Sequence, residues 1–254
     1  MKLSAVILTK NSEADIEKLI HSLRFCDEVL IVDDESTDKT AERAKSLGAQ
    51  VYSRPLSGDF ATQRNFADSK AKGDWILHID SDEEVNDALA GEIMLKMKNP
   101  SVGAYYIKRR DFFWGREVRY GDVWTARSRG FIRLYQKESG TWGGTVHEKF
   151  TTNKQISRLQ NAIIHRPHPT VAEFIREVNY YSTLRARELE RQGKKVNIVS
   201  VVLYPLLKFI YLYIFRLGIL DGAAGFAYTF MMSFHSYLVR AKLYQYLYID
   251  KKDL

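Results

Sequence analysis

The sequence predicts an α/β protein: a mostly parallel sheet flanked by helices, followed by a helical C-terminal extension. Three observations predict it. Short apolar runs alternate with stretches of helical periodicity through the first 100 residues. The polar clusters 9–13, Asp33-Asp34 and 80–82 each fall just after such a run. From about residue 169 the chain reads as helical and increasingly apolar.

Residues 4–8 form an apolar run of the kind found in strands buried on both faces. Asn11 or Ser12 is placed to cap a helix whose Ile16, Leu19, Ile20 and Leu23 recur at helical spacing. Residues 28–32 read as a second strand, ending in Asp33-Asp34. Ser36 or Thr37 caps the next helix, which runs to about Leu47 and is closed by Gly48. Residues 50–53 are a third strand, and 60–71 a helix with Phe60, Arg64 and Ala67 in register. Residues 75–79 are a fourth strand that runs into Asp80-Ser81-Asp82. In open sheets of this type ligands sit beyond the carboxyl ends of the strands, where all three polar clusters lie.

Residues 101–168 read as mixed strands and loops, with runs at 105–108 and 131–135 and a Gly-rich 140–144 before Thr145-Val146-His147-Glu148. Their polar face is rich in arginine, including Arg109, Arg129 and Arg133. In 169–254, Phe174, Val178, Tyr181 and Leu184 mark one amphipathic helix, and 196–220 and 222–248 are strongly apolar. The predicted division is therefore 1–168, in halves 1–100 and 101–168, and 169–254.

Composition narrows the class. Apolar residues at 45% and charged residues at 27% exclude wholesale disorder. The lone Cys26 excludes an internal disulfide and a Cys-rich zinc site, and fits a reducing compartment. The first residues hold only a short apolar stretch, 5–8, and are not expected to act as a signal peptide. Residues 1–150 carry 23 Lys and Arg against 24 Asp and Glu, whereas 151–254 carry 15 against 7. All the net positive charge thus sits in the tail, which points to an anionic surface as partner. The longest uncharged runs there, 196–207 and 222–239, have 12 and 18 residues. Both fall short of the roughly 20 that a membrane span needs. Their aromatics, interleaved with Lys208, Arg216, Arg240 and Lys242, suit helices lying in the headgroup region. A helical cap packed on the protein, or a homo-oligomer interface, is the alternative. Nucleic acid is not expected, because the aromatics sit among aliphatic runs rather than dense Lys and Arg.

Asp80-Ser81-Asp82 carries the chemistry. Two carboxylates at i and i+2 beyond a strand can turn toward one cation, and hard ions such as Mg²⁺ or Mn²⁺ share oxygen ligands readily with a diphosphate. The runs 5–13, 29–40 and Asp80-Ser81-Asp82 together resemble the family 2 glycosyltransferases of the GT-A fold. Gln63-Arg64-Asn65-Phe66-Ala67 ahead of Gly73-Asp74-Trp75, with His147-Glu148 further on, resembles the lipopolysaccharide-core branch of that family. The resemblance implies an inverting transfer of a hexose from a nucleotide-sugar, with a bound divalent metal, to a hydroxyl of a lipid-linked or lipopolysaccharide-core saccharide. A polyprenyl-phosphate or protein acceptor is the alternative. A nucleotidyltransferase would instead be expected to carry a Gly-rich phosphate loop after the first strand.

The resemblance places the nucleoside at Thr9, Asn11 and Glu13. Asp33 or Asp34 would accept the uracil N3–H, since a carboxylate only accepts. Arg64 would meet a phosphate, and Gln63 or Asn65 the ribose or base. Asp82 would bind the Mn²⁺ or Mg²⁺ directly, with Asp80 on ribose or on the metal through water. His165 would complete the metal set, with His168 and His147 as rivals. Glu148 is the expected base, although His-Glu stands where the family has an acidic pair. Glu83 and Glu84 are alternative bases, and a salt bridge to a nearby arginine is the structural alternative for Glu148. Trp142 would stack on a sugar face, and Arg129 and Arg133 would read an acidic acceptor. The expected location is cytoplasmic, peripheral on the inner face of the plasma membrane.

Overall fold

The computed structural model describes residues 1–98, 100, 102–144 and 148–250. In chain order the elements are β1 (Leu3–Thr9), α1 (Ile16–Ser22), β2 (Glu28–Asp33), α2 (Thr40–Ser46), β3 (Gln50–Ser53), α3 (Phe60–Lys70), β4 (Trp75–Asp80), β5 (Glu83–Glu84) and α4 (Asp87–Lys98). There follow β6 (Ala104–Phe113), β7 (Arg116–Val118), α5 (Trp124–Ser128), β8 (Phe131–Gln136), β9 (Gly140–Gly143), β10 (Lys149–Thr152) and β11 (Ile156–His165). Three long helices close the chain: α6 (Val171–Arg191), α7 (Ile198–Ile210) and α8 (Gly222–Tyr248). Two compact units result, one of Met1–Arg110 with Ala126–His165, the other of Asp111–Thr125 with Arg166–Leu254.

The first unit is the α/β sheet that the sequence predicts, in the order β3-β2-β1-β4-β8-β6-β11-β5. The β3-β2-β1-β4 half is parallel, and β8 and β5 pair antiparallel. Strand β1 alternates between two cores. Leu3, Ala5 and Ile7 pack with Leu19 of α1 and Ile93 of α4, whereas Val6 packs with Ala67 of α3 and with Tyr135 and Trp142. Burial on both faces is why the strand reads as an unbroken apolar run.

Two helix starts differ from the expectation. Helix α1 begins after Asp15, and α2 at Thr40. Asn11, Ser36 and Thr37 bond across two neighbouring loops instead, so their side chains are taken before any helix begins. Gly48 does close α2, at φ +87.

In the second unit α6 buries Phe174, Val178, Ser182 and Ala186, whereas Tyr181 is exposed. The buried row steps by four, and its small residues let α8 approach. Lys242 of α8 donates to Ser182 Oγ at 2.8 Å and to Thr183 Oγ1 at 2.7 Å. Phe113, Val118 and Val123 join Phe174 and Tyr228 in one cluster. Helix α7 together with the turn that follows it, Ile198–Phe215, is 18 residues, with 11% of it buried. By length and composition it is long and apolar enough to cross a membrane, which separate inspection of the uncharged runs did not suggest.

Gly130 enters β8 at φ +75, and a Cβ there would strike the Ile107 carbonyl of β6. Gly130→Ala should therefore destabilise the protein by about 2–3 kcal/mol and lower Tm by roughly 5–10 °C, read by differential scanning calorimetry.

Candidate active site

The carboxyl ends of β1, β2 and β4 are brought level by their register: Thr9 lies beside Asp33, and Leu8 beside Asp80. The loop after β1 is laced to the loop after β2. Asn11, at φ 49, accepts from the Thr37 amide at 2.8 Å. Ser12 donates its amide to Thr40 Oγ1 at 2.7 Å, and Glu13 its amide to Asp38 Oδ2 at 3.1 Å. The Glu13 carboxylate meets Arg43 Nη2 at 2.8 Å. Buried Asp33 accepts from the Ser36 amide at 2.9 Å and hydroxyl at 2.5 Å. Asp34 accepts from Lys10 Nζ and the Leu56 amide, both at 2.8 Å. Thr9 Oγ1 is buried without a hydrogen-bond partner. A buried orphan hydroxyl is uncommon and marks a place where a ligand atom would be welcome. The five residues expected at the nucleoside thus share one rim.

Helix α3, capped by Asp59, presents Gln63, Arg64 and Asn65. Two of the three serve differently from the expectation. The Gln63 amide donates to the Arg54 carbonyl at 2.7 Å and accepts from its guanidinium. Asn65 donates to the Trp142 carbonyl at 2.9 Å and accepts from its amide at 3.0 Å. Both amides brace protein rather than face outward, because buried amides must be satisfied where α3 packs. Trp142 is likewise no sugar platform. It is only 7% exposed, packed edge-on against His78 at 5.1 Å and against Phe150 at 5.5 Å.

Arg64 is the centre of the site. Its side chain is 5% exposed. Nε donates to Glu148 Oε1 at 2.8 Å, Nη2 to Asp80 Oδ1 at 2.9 Å, and Nη1 approaches His78 Nδ1 at 3.1 Å. Arg133 grips Asp80 from the other side, through Nη1 at 3.1 Å and through Nη2. Arg133 was expected on an acceptor; β8 lies next to β4, so its side chain falls on the carboxylate that ends β4. Arg129 is exposed and stacks on Tyr106, 5.4 Å from the ring centre. Burial pushes the Asp80 carboxyl up, but Arg133 and Arg64 outweigh it and hold it well below the usual carboxylate range. Fully buried Glu83 is pushed up by burial, against Arg133 and Arg109, and accepts the Asp80 amide at 2.9 Å. Burial keeps His78 below the ordinary imidazole value, more strongly than Asp68 raises it.

Asp82 stands apart from that cluster. Strand β11 pairs antiparallel with β5, His165 opposite Glu83, and this carries His165 Nε2 to 3.0 Å from Asp82 Oδ2. Burial raises the Asp82 carboxyl, but His165 outweighs it and brings it below the ordinary value. Among the described residues no three His, Cys, Asp or Glu side chains converge as a metal-holding group. Asp80, expected beside them, has both oxygens on guanidiniums. The carboxylate and imidazole that remain are a donor set compatible with Mn²⁺ or Mg²⁺ when diphosphate oxygens supply the other positions. His168 lies in the second unit, stacked on Phe174 and 3.1 Å from Glu177. His147 lies outside the described residues.

Sequence reasoning missed His78, Asp68 and Tyr135. His78 Nε2 is 2.7 Å from Asp68 Oδ1, and Tyr135 donates to Asp68 Oδ2 at 2.6 Å. The available signal was a histidine inside an otherwise apolar strand run, Trp75-Ile76-Leu77-His78-Ile79.

A mostly parallel α/β sheet with acidic and guanidinium groups at its carboxyl edge is the architecture of a ligand-binding α/β protein, and comparison with known proteins gives its family. The family model for Glycosyl transferase family 2 matches residues 4–162. An uncharacterized glycosyltransferase of Rickettsia bellii is 32% identical over 256 residues, covering 95% of this chain and 86% of that protein. The lipopolysaccharide core biosynthesis glycosyltransferase LpsC of Rhizobium meliloti is 30% identical over 256 residues, covering 96% and 93%. Among solved structures, S. aureus TarS 1-349 in complex with UDP-GlcNAc has a TM-score of 0.51 at 17% identity, covering 97% of this chain and 91% of that one. Glucosyl-3-phosphoglycerate synthase of Mycobacterium tuberculosis, in complex with Mn²⁺, UDP and glucosyl-3-phosphoglycerate, has a TM-score of 0.50 at 18% identity, covering 76% and 81%. These two share the fold. The chain belongs to glycosyl transferase family 2 and is a glycosyltransferase.

Because both ends of the Gln63 amide are taken by Arg54, Gln63→Ala should cost about 1–2 kcal/mol of stability. UDP affinity, measured by calorimetry, should change less than twofold. A large loss of UDP affinity at unchanged Tm would return Gln63 to the donor site.

Proposed function

We propose that the protein is an inverting, divalent-metal-assisted hexosyltransferase. It takes its sugar from a UDP-sugar and delivers it to a hydroxyl of a lipid-linked or lipopolysaccharide-core saccharide. The observation that carries this reading is the convergence of Arg64, Asp80, Arg133 and Glu148, with Asp82 and His165, at the carboxyl edge of a family 2 sheet. The acceptor class is supported by LpsC, whose name states a role in lipopolysaccharide core biosynthesis.

The rim at Thr9, Asn11 and Asp34 receives the nucleoside: the Thr9 hydroxyl is unpartnered, and the Asp34 carboxylate is an acceptor for a base N–H. Asp82 and His165 would hold Mn²⁺ or Mg²⁺ beside the diphosphate. When bound, the cation supplies positive charge that offsets the charge growing on the departing diphosphate. Glu148 takes the proton of the acceptor hydroxyl as that oxygen attacks the anomeric carbon, and the bond from that carbon to the diphosphate breaks on the opposite face. Arg64 holds the Glu148 carboxylate by a charge-assisted hydrogen bond, so the base needs no search for its orientation. The ion pair to a nearby arginine and the role as base are therefore compatible.

The exposed apolar side chains of the second unit support a place at a membrane surface, proposed here to be the cytoplasmic one. Leu207, Phe215 and Leu220 are 61%, 73% and 62% exposed, in a stretch where apolar side chains face outward repeatedly. Exposed apolar surface on this scale is unusual for a protein surrounded only by water. Anionic headgroups suit the net positive charge of 151–254.

Asp82→Ala should lower Mn²⁺-stimulated UDP release from UDP-sugars at least 100-fold, and Glu148→Gln should abolish transfer while UDP still binds. An active Glu148→Gln variant moves the base elsewhere. The full chain should float with phosphatidylcholine–phosphatidylglycerol vesicles in a density gradient, and Phe215→Glu with Leu220→Glu should reduce the floated fraction at least tenfold. A wild-type chain that stays with the soluble fraction overturns the membrane reading.

A further inference from the structure

The polar chain behind Arg64 has a fixed direction. A guanidinium only donates, so the contact of Arg64 Nη1 with His78 Nδ1 at 3.1 Å requires that nitrogen to be bare. The proton of the neutral ring therefore sits on Nε2, which donates to Asp68 Oδ1 at 2.7 Å. Asp68 Oδ2 accepts from Tyr135 OH at 2.6 Å, and the Tyr135 oxygen accepts from Trp142 Nε1 at 2.8 Å. At the other end, Arg64 Nε donates to Glu148. Every donor and acceptor from Trp142 to Glu148 is thereby assigned.

His78 has no packing reason to be a histidine. It is fully buried in the middle of β4, between Leu77 and Ile79, where an aliphatic side chain would serve the core. A buried imidazole is costly unless both nitrogens are satisfied. Here both are, and one of them is satisfied by the arginine that touches Glu148. Tyr135 stacks on the ring at 5.8 Å and Trp142 closes its edge, so the imidazole cannot turn freely. The Arg64 guanidinium in turn lies over Trp142, 4.9 Å from the ring centre.

We propose that His78 is a positioning residue: with Asp68 behind it, it fixes the rotation of the Arg64 guanidinium and through it the Glu148 carboxylate. The two carboxylates on Arg64 differ in their dependence on this support. Asp80 is gripped independently by Arg133 through two nitrogens. Among the described residues Glu148 has a hydrogen bond from Arg64 alone. Loss of His78 therefore loosens Glu148 while Asp80 stays held. The effect falls on turnover and leaves donor binding in place. This proposal rests on the reading of Glu148 as the base.

The test uses the full chain. In wild-type protein labelled with ¹⁵N-histidine, NMR should show one buried imidazole protonated at Nε2 and bare at Nδ1; a proton on Nδ1 overturns the chain. In ¹⁵N-arginine protein the Arg64 Nε–H signal, assigned by its absence in Arg64→Lys, should exchange with solvent slowly. His78→Leu should speed that exchange at least tenfold. His78→Asn, whose side-chain oxygen can replace Nδ1 as acceptor, should restore most of the protection. Exchange in His78→Leu within twofold of wild type overturns the proposal. Asp68→Asn, at a partly exposed site, provides the same reading if His78→Leu does not fold. Where turnover of a mixed pool of UDP-glucose, UDP-galactose and UDP-GlcNAc is followed, His78→Leu should lower kcat 10- to 100-fold with UDP affinity within twofold. If Glu148→Gln is inactive and His78→Leu fully active, the relay fails alone; if Glu148→Gln is active, the base assignment fails.

Discussion

One guanidinium joins two parts of the site that chemistry must keep in register. Arg64 donates to Asp80, at the end of β4, and to Glu148, 84 positions further along the chain. A carboxylate on a strand end is fixed by the sheet, whereas Glu148 precedes a short strand, β10, that among the described residues pairs with β9 in a separate two-stranded sheet. Arg64 ties the second to the first. Its cost is desolvation: the side chain is 5% exposed, and a buried guanidinium left without partners would destabilise the fold by several kcal/mol. The partners are what make that position tenable.

The sheet divides the work by strand direction. Its parallel half aligns the carboxyl ends of β1, β2 and β4 and so builds the rim that the proposed donor would occupy. The antiparallel strands bring in side chains from later in the chain. Strand β8 delivers Arg133 to Asp80, and β11, pairing with the two-residue β5, delivers His165 to Asp82. Each of these contacts spans more than 50 residues of sequence, and only the strand order creates it.

This separation sets what was legible in the sequence. The parallel half was readable because each strand is a short apolar run and each polar cluster follows its own strand, as at Asp33-Asp34 and at Asp80-Ser81-Asp82. The strand 50–53 and the helix 60–71 needed only local periodicity. The partners of those residues were not legible. Arg133 looked like any other member of an arginine-rich segment, because its role depends on β8 lying beside β4. Trp142 beside glycines resembled an exposed sugar platform, but the ring is turned inward and packs edge-on against His78 and Phe150. Gln63 and Asn65 flank a functional residue on a helix and so looked functional. Helical geometry turns them to different neighbours, Arg54 on one side and the Trp142 backbone on the other. His78 was passed over because a strand-length apolar run hides a polar residue whose partners lie elsewhere.

The balance of buried charge explains why Asp80 and Asp82, two residues apart, have different roles. Arg64, Arg109 and Arg133 face Asp80, Glu83 and Glu148, three positive groups against three negative. Asp80 sits inside that balance, with both oxygens already donated to. A further cation there would meet two guanidiniums at close range and be repelled. Asp82 is outside it: it pairs with the His165 imidazole, and its side chain is 38% exposed, open to solvent and to a ligand. In the proposed reading an added positive charge is opposed at the first carboxylate and accepted at the second. In the proposed reaction the Asp80 cluster is thus a preorganised, charge-neutral frame that does not have to move as charge develops, and Asp82, paired with His165, is the more exposed part of the site that a ligand can approach.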